Sequence, residues 1–234
     1  NEDKFKIISI ARAFKELEAS KSAEPVEKRQ IKSSPILEAL RRYPGRISLA
    51  AGAFLSIQVT FYILVAFILA YGVQTTELSR NDILMAVLIG SAIMVPMQFV
   101  FSDYSDKNGR KGIFMTGAIL TGVWAFALFP LIDTGSFYLV ILGVSGGLMF
   151  LGMMYGPQAA FFAELFSTDV RYSGASLGYQ IGAIIGGSFA PTIATLLWKN
   201  YDIFWVSVYI AFASLASLLS VYFLTETYQK DLNE

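Results

Sequence analysis

Six polar side chains sit inside stretches that carry no Asp, Glu, Lys or Arg: Gln58 and Tyr62, Tyr155 and Gln158, Tyr179 and Gln180. On a helix, residues three or four apart share a face, so Gln58/Tyr62 and Tyr155/Gln158 each form one polar patch. Amides and phenols bind solutes through hydrogen bonds, but near neutral pH they are poor acids and bases. Their chemistry is therefore recognition rather than bond making. An amide facing hydrocarbon would go unsatisfied, so these groups must point at other helices or into a wet cavity. For a single glutamine the two readings are equal. Pairs on two stretches, one of them beside Pro157, favour the cavity. Tyr179 and Gln98 are weaker members of the set.

Ser102–Lys111 is a second chemical feature, a short, charge-dense, turn-rich loop between two apolar runs. Asn108-Gly109 predicts a sharp turn there. Charges so close to membrane-length helices must lie at a membrane face, since each would cost several kcal/mol inside hydrocarbon.

Other chemistry is excluded by composition. Among 234 residues there is no Cys and no His. Disulfides, thiol chemistry, most zinc and haem sites and any triad with a histidine base are absent with them. No carboxylate pair lies in an apolar stretch, so no catalytic residue, metal or cofactor is assigned and no enzyme is expected. The net charge is zero, which gives no surplus for nucleic acid.

The elements that position the polar groups follow from hydropathy. The chain is 55% hydrophobic and 15% charged, too apolar for an ordinary soluble domain. Six uncharged spans are expected at Ile47–Tyr71, Ile83–Phe101, Gly112–Ile132, Phe137–Ala163, Ser173–Trp198 and Ile203–Leu224. Each reaches or exceeds the roughly 20 residues that cross a bilayer. Alternation of period two is missing, so these are helices rather than barrel strands. The fold class is an all-α membrane protein, in three parts. Residues 1–46 form a charged segment with amphipathic helices, one marked by Ile7, Ile10, Phe14 and Leu17 and another at Ile36–Arg42 that Pro44-Gly45 ends. Residues 47–224 form the six-helix membrane domain, and 225–234 a short tail. All of the 18 basic residues except Arg80 and Lys199 fall on one side. The positive-inside rule makes that side cytoplasmic, with both termini inside a cell membrane. The first residue is Asn and no signal peptide is visible, which suggests a processed or truncated product of something longer.

Gly174, Gly178, Gly182 and Gly186 recur every four residues and form a bare stripe against which another helix can pack. Tyr172, Ser176, Gln180 and Gly187 are expected on the opposite face. Pro157, after Gly143/Gly147 and Gly152/Gly156, predicts a kink. Static tight packing and rocking between states are equally open readings of these glycines.

Asp106-Lys-Asn-Gly109-Arg110-Lys111 resembles the motif G-x-x-x-D-x-x-G-R-[KR] of the major facilitator superfamily, with Ser102 in place of the first glycine and Asp103 an added acid. The stretch from Ala163-Glu164-Leu-Phe through Arg171-Tyr-Ser-Gly to Gly178-Tyr179-Gln180 is similar to the eleventh helix and preceding loop of its metabolite:proton symporter branch. Arg41-Arg42-Tyr43-Pro44 leading to Gly52 and Phe61-Tyr62 resembles that branch's seventh helix. The resemblance covers about Ala13 to Thr227. It implies the C-terminal half of a twelve-helix carrier with a 3+3 inverted repeat, whose N-terminal six-helix half is a missing partner. It also implies proton-coupled symport of a small metabolite by alternating access, in a branch that imports shikimate, 2-oxoglutarate, citrate, and proline or betaine. Spans one and four would line the cavity, two and five face the other half, and three and six lie at the periphery. Asp106, Gly109, Arg110, Glu164 and Arg171 would form a cytoplasmic gate latch; topology-setting surface charge is the plainer reading of the same residues. The alternatives are an inactive fragment and a membrane-embedded interaction protein.

Overall fold

The computed structural model describes residues 34–227. The amphipathic helix expected around Ile7–Leu17, the linker after it and residues 228–234 lie outside the described residues.

Helix α1 spans Pro35–Arg42, with Glu38 and Arg42 paired at 2.9 Å one turn apart. Pro44 does not merely end it, as the sequence suggests. It also opens the next helix, at the first-turn position where a missing N–H costs nothing. Six membrane-length helices follow: α2 Pro44–Thr75, α3 Arg80–Asn108, α4 Arg110–Asp133, α5 Phe137–Glu164, α6 Arg171–Asn200 and α7 Ile203–Phe223.

One correction concerns Ser102–Lys111, expected to be a loop. Helix α3 runs on to Asn108 and α4 starts at Arg110, which leaves Gly109 alone between them at φ 105°. The polar residues continue the helix because they satisfy one another along it. Lys107 pairs with Asp103 at 2.7 Å, and the Asn108 amide donates to the Tyr104 carbonyl. Only glycine adopts the positive φ of the junction without strain.

The packing has an internal two-fold pattern. Helix α2 packs on α6 and α7, and α5 packs in the same way on α3 and α4, while α4 meets α7. Exchanging α2 with α5, α3 with α6 and α4 with α7 maps this set of contacts onto itself, which is the 3+3 inverted repeat. The two pivots, α2 and α5, are each 56% buried over their most apolar window, whereas α3 and α6 are only 28% buried. The core therefore lies along α2 and α5, where Phe54, Ile57, Leu148 and Phe161 are fully enclosed.

Equivalent seams use different chemistry. Between α4 and α5, the Trp124 ring occupies the space over Gly146 and its Nε1–H donates to the Gly143 carbonyl at 2.9 Å. Between α2 and α7, three buried serines do the work. The Ser217 hydroxyl accepts from the Ser56 amide and donates to the Gly52 carbonyl, each at 2.9 Å, and Ser56 Oγ pairs with Ser214 Oγ. Gly52 and Ser56 are one helical turn apart, so Ser217 bridges the backbone ladder of α2 itself.

Among the described residues, regular α geometry is interrupted by π-helical turns at Ile63–Phe67 in α2 and Ile184–Ser188 in α6. Helix α5 continues through Pro157. The second π turn changes a face assignment. Gly187 was expected opposite the glycine stripe, yet a Cβ there would lie 2.7 Å from the Tyr62 ring of α2. The wide turn inserts a residue and rotates Gly187 onto the side of Gly178 and Gly182. The stripe itself meets α2: a Cβ on Gly182 would fall 2.7 Å from the Ala51 carbonyl oxygen.

Candidate substrate cavity and charged latch

Tyr155 and Gln158 come from the last turns of α5, and Tyr179 and Gln180 from the turn of α6 that precedes its π-helical interruption. These four residues line one concavity of about 430 Å³ between the two helices. Gln158 is nearly buried, while Tyr155 is 40% exposed and reaches the open side. Buried Phe54 of α2 supports the Tyr179 ring from behind, with centroids 4.3 Å apart.

Gln58 and Tyr62 belong to the pivot helix α2 and do not line this concavity. They pack over Gly186 and Gly187, in the π turn of α6. The six polar groups thus fall into two clusters, one lining the concavity and one beside the π turn of α6. A smaller concavity of about 380 Å³ adjoins the first, shares Tyr172, Ala175 and Ser176 with it, and carries Thr168 and Arg171.

The ionic residues assemble at the end of the bundle where α3 meets α4 and α5 meets α6. Arg110 donates Nη2–H to Glu164 at 3.0 Å and Nη1–H to Ser105 at 3.0 Å, and pairs with Asp106 on the preceding helix. The Arg110 and Glu164 side chains are only 12% and 16% exposed, whereas Asp106 is mostly solvated. Arg171 lies at the start of α6 and donates Nε–H to the Phe166 carbonyl of its own loop. Arg46 ties α2 to that loop through the Leu165 carbonyl at 2.6 Å.

Sequence reading missed one participant. The Glu226 carboxylate accepts the Arg110 and Lys111 backbone N–H groups, both at 3.1 Å, and so caps α4 from the far end of the chain. Lys111 in turn donates to the Tyr222 and Leu224 carbonyls, and the Thr227 hydroxyl donates to Glu164. A signal existed. Gly109 has no side chain to cap α4, so its first N–H groups needed an outside acceptor. Among the described residues no group of three His, Cys, Asp or Glu could hold a metal.

A search of the sequence against known families matches the Major Facilitator Superfamily over residues 7–177 and 49–234. The chain belongs to this superfamily. Its relatives include the inner membrane metabolite transport protein YhjE of Escherichia coli, 31% identical over 221 residues, covering 85% of this chain and 50% of that protein. The shikimate transporter of Escherichia coli is 30% identical over 202 residues, with 84% and 45% covered. The glycine betaine/proline/ectoine/pipecolic acid transporter OusA of Dickeya dadantii is 29% identical over 185 residues, with 77% and 36% covered. The chain thus spans about half the length of the curated relatives it matches. As a major facilitator half, it is a multi-pass membrane protein related to metabolite transporters rather than to enzymes. Its six helices and their inverted pairing fit one six-helix unit of that fold.

Proposed function

We propose that this chain is the C-terminal half of a proton-coupled symporter for a small polar or carboxylate metabolite, working by alternating access in the inner membrane. The observation that carries the reading is the placement of Tyr155, Gln158, Tyr179 and Gln180. They line a concavity formed by α5 and α6, and α6 is one of the two least buried helices, whose uncovered face a second six-helix half would meet. Carriers of this kind bind substrate near the bilayer midplane between two repeats, and rocking of one against the other exposes the site to each side in turn. Gln58 and Tyr62 add a second polar cluster on α2, beside the π turn of α6. Asp106, Gly109, Arg110, Glu164 and Arg171 serve as the cytoplasmic latch, which holds the inner gate closed and parts as the carrier opens inward. Both termini lie in the cytoplasm, on the side of this latch.

The names of the relatives support a small-metabolite substrate, and no charged group in the spans identifies the proton site in this half. Uptake of labelled carboxylates and zwitterions by the carrier in proteoliposomes, with and without an inward proton gradient, tests the reading. Accumulation that collapses with the gradient is the expected result, and gradient-independent uptake would remove the coupling. A second reading, a half that transports nothing alone, is favoured by the uncovered faces of α3 and α6. The intact mass from the native membrane separates the two: about twice 25.8 kDa for a complete carrier, 25.8 kDa for a half made by itself.

A further inference from the structure

We propose that Asp133 is a positioning residue for the polar cluster of Gln58 and Tyr62. By accepting the Tyr71 hydroxyl it anchors the outer end of α2, and so fixes the face on which that cluster stands. This rests on the carrier reading above and adds to it a residue outside both the concavity and the latch.

Asp133 is the last residue of α4, exposed at the end of the bundle opposite the ionic residues. The Tyr71 hydroxyl of α2 donates to its Oδ1 at 2.6 Å. The Tyr71 ring is buried, and the centroids of Phe67, Phe129 and Trp198 lie 5.8, 5.5 and 5.1 Å from its own. Phe67 also meets Phe129 and Trp198, at 6.2 and 5.9 Å. Helices α2, α4 and α6 thus join in one aromatic cluster, which the Tyr71–Asp133 bond closes at the surface.

Phe67 is also the last residue of the π turn that starts directly after Tyr62. Tyr71 follows Tyr62 by nine residues. At about 100° per residue, an uninterrupted α-helix would turn Tyr71 to the side opposite Tyr62. The π turn takes up one extra residue and removes about 100° of that rotation. Both side chains therefore reach α6. Tyr62 sits over Gly187, in the π turn of α6, and Tyr71 packs on Trp198 beyond it.

The wide turn of α2 is held from both ends. At the inner end the fit is tight, since a Cβ on Gly187 would lie 2.7 Å from the Tyr62 ring. At the outer end the hold is the aromatic cluster and its bond to Asp133. Without that acceptor a hydroxyl is stranded on a ring that is only 2% exposed. Rotation of the outer segment relieves it, and the rotation available is the return of the π turn to α geometry. That return swings Gln58 and Tyr62 off Gly186 and Gly187.

The test places a fluorotyrosine at position 62 of this chain in lipid nanodiscs and reads its fluorine resonance, which reports the packing of that ring. Asp133→Ala should displace the resonance or add a second form, raised about fivefold in population by the one lost hydrogen bond. Asp133→Asn should leave it in place, because an amide oxygen accepts the phenol as well. Adding Tyr71→Phe to Asp133→Ala should restore it, since no stranded hydroxyl remains. Ser79→Ala removes the cap of α3 at the same end of the bundle and controls for a general loss of stability. An unmoved resonance in Asp133→Ala, failure of either rescue, or an equal displacement in Ser79→Ala would each overturn the positioning role. In uptake by the carrier, Asp133→Ala should raise KM by up to about fivefold with Vmax little changed, and Asp133→Asn should not. Unchanged KM beside a displaced Tyr62 would remove this cluster from the substrate path, and the proposal with it. A carrier that takes up none of the tested solutes would overturn the carrier reading, while the Tyr62 resonance still decides what Asp133 holds in place.

Discussion

The Arg110 guanidinium and the Glu164 carboxylate meet at 3.0 Å, joining the first residue of α4 to the last of α5. These helices belong to opposite three-helix repeats, so the pair clasps the repeats at one end of the bundle. Both side chains are largely shielded from solvent, and removing one strands the other. Arg110→Ala should lower thermal stability in nanodiscs by about 2 kcal/mol, because Glu164 then loses a charged partner while keeping only Thr227. Asp106→Ala removes an exposed partner and should cost less than about 1 kcal/mol. A reversed ranking in thermal unfolding would contradict the assignment of Glu164 as the principal partner.

The latch role is tested by function rather than stability. Asp106→Asn keeps the shape and removes the charge. If the latch holds the inner gate, this variant should slow uptake by the carrier. Unchanged transport would leave Asp106 as topology-setting charge only.

Glu226 acts on α4 as an N-terminal cap normally would. Glu226→Gln should speed amide hydrogen exchange at Arg110 and Lys111 and cost about 1 kcal/mol. The N-terminus of α3 is an internal control, since Ser79 and Asp82 cap it reciprocally. Equal change at both helix starts would mean a global loss instead.

Two glycines at helical positions should respond oppositely to a methyl group. Gly182→Ala drives a Cβ to 2.7 Å from a backbone oxygen of α2 and should destabilise by about 1–3 kcal/mol. Gly112→Ala meets nothing within 4 Å and should be neutral or stabilise by up to about 1 kcal/mol. Thermal unfolding of both variants in one lipid system decides it.

How far these features could be read in advance differs by type. The six spans were legible because membrane insertion depends on apolar length alone: the Phe137–Ala163 span became Phe137–Glu164, and Ile203–Leu224 became Ile203–Phe223. The glycine stripe was legible because a period of four survives on any straight helix. Gly187 was misassigned for the complementary reason, since a π turn shifts the phase without leaving a mark in composition. The polar groups could be picked out singly, as amides and phenols in uncharged runs. Their division into a Gln58/Tyr62 cluster and a Tyr155/Gln158/Tyr179/Gln180 concavity depends on which helices lie side by side, and that is set by tertiary packing. Glu226 lies more than a hundred residues from Arg110, and no local pattern connects them.

A cysteine-free chain also permits a direct test of orientation. Single substitutions Asn108→Cys and Tyr201→Cys place exposed thiols at opposite ends of the bundle. In intact cells an impermeant maleimide should label position 201 and spare 108 until the membrane is opened. The opposite pattern would invert the topology.

The single-residue junction at Gly109 limits how α3 and α4 can part company. Consecutive Cα atoms stay about 3.8 Å apart whatever the dihedrals do, so these two helix ends share a fixed tether and one swivel. Neither helix can slide lengthwise past the other there. Any transition that separates them must be a pivot about the Gly109 joint, with small displacements beside it and the largest at the far end, some 40 Å of helix away. In mechanical terms α3 is a lever with its fulcrum beside the ionic clasp, so any rotation at that joint is amplified at the opposite end of the bundle.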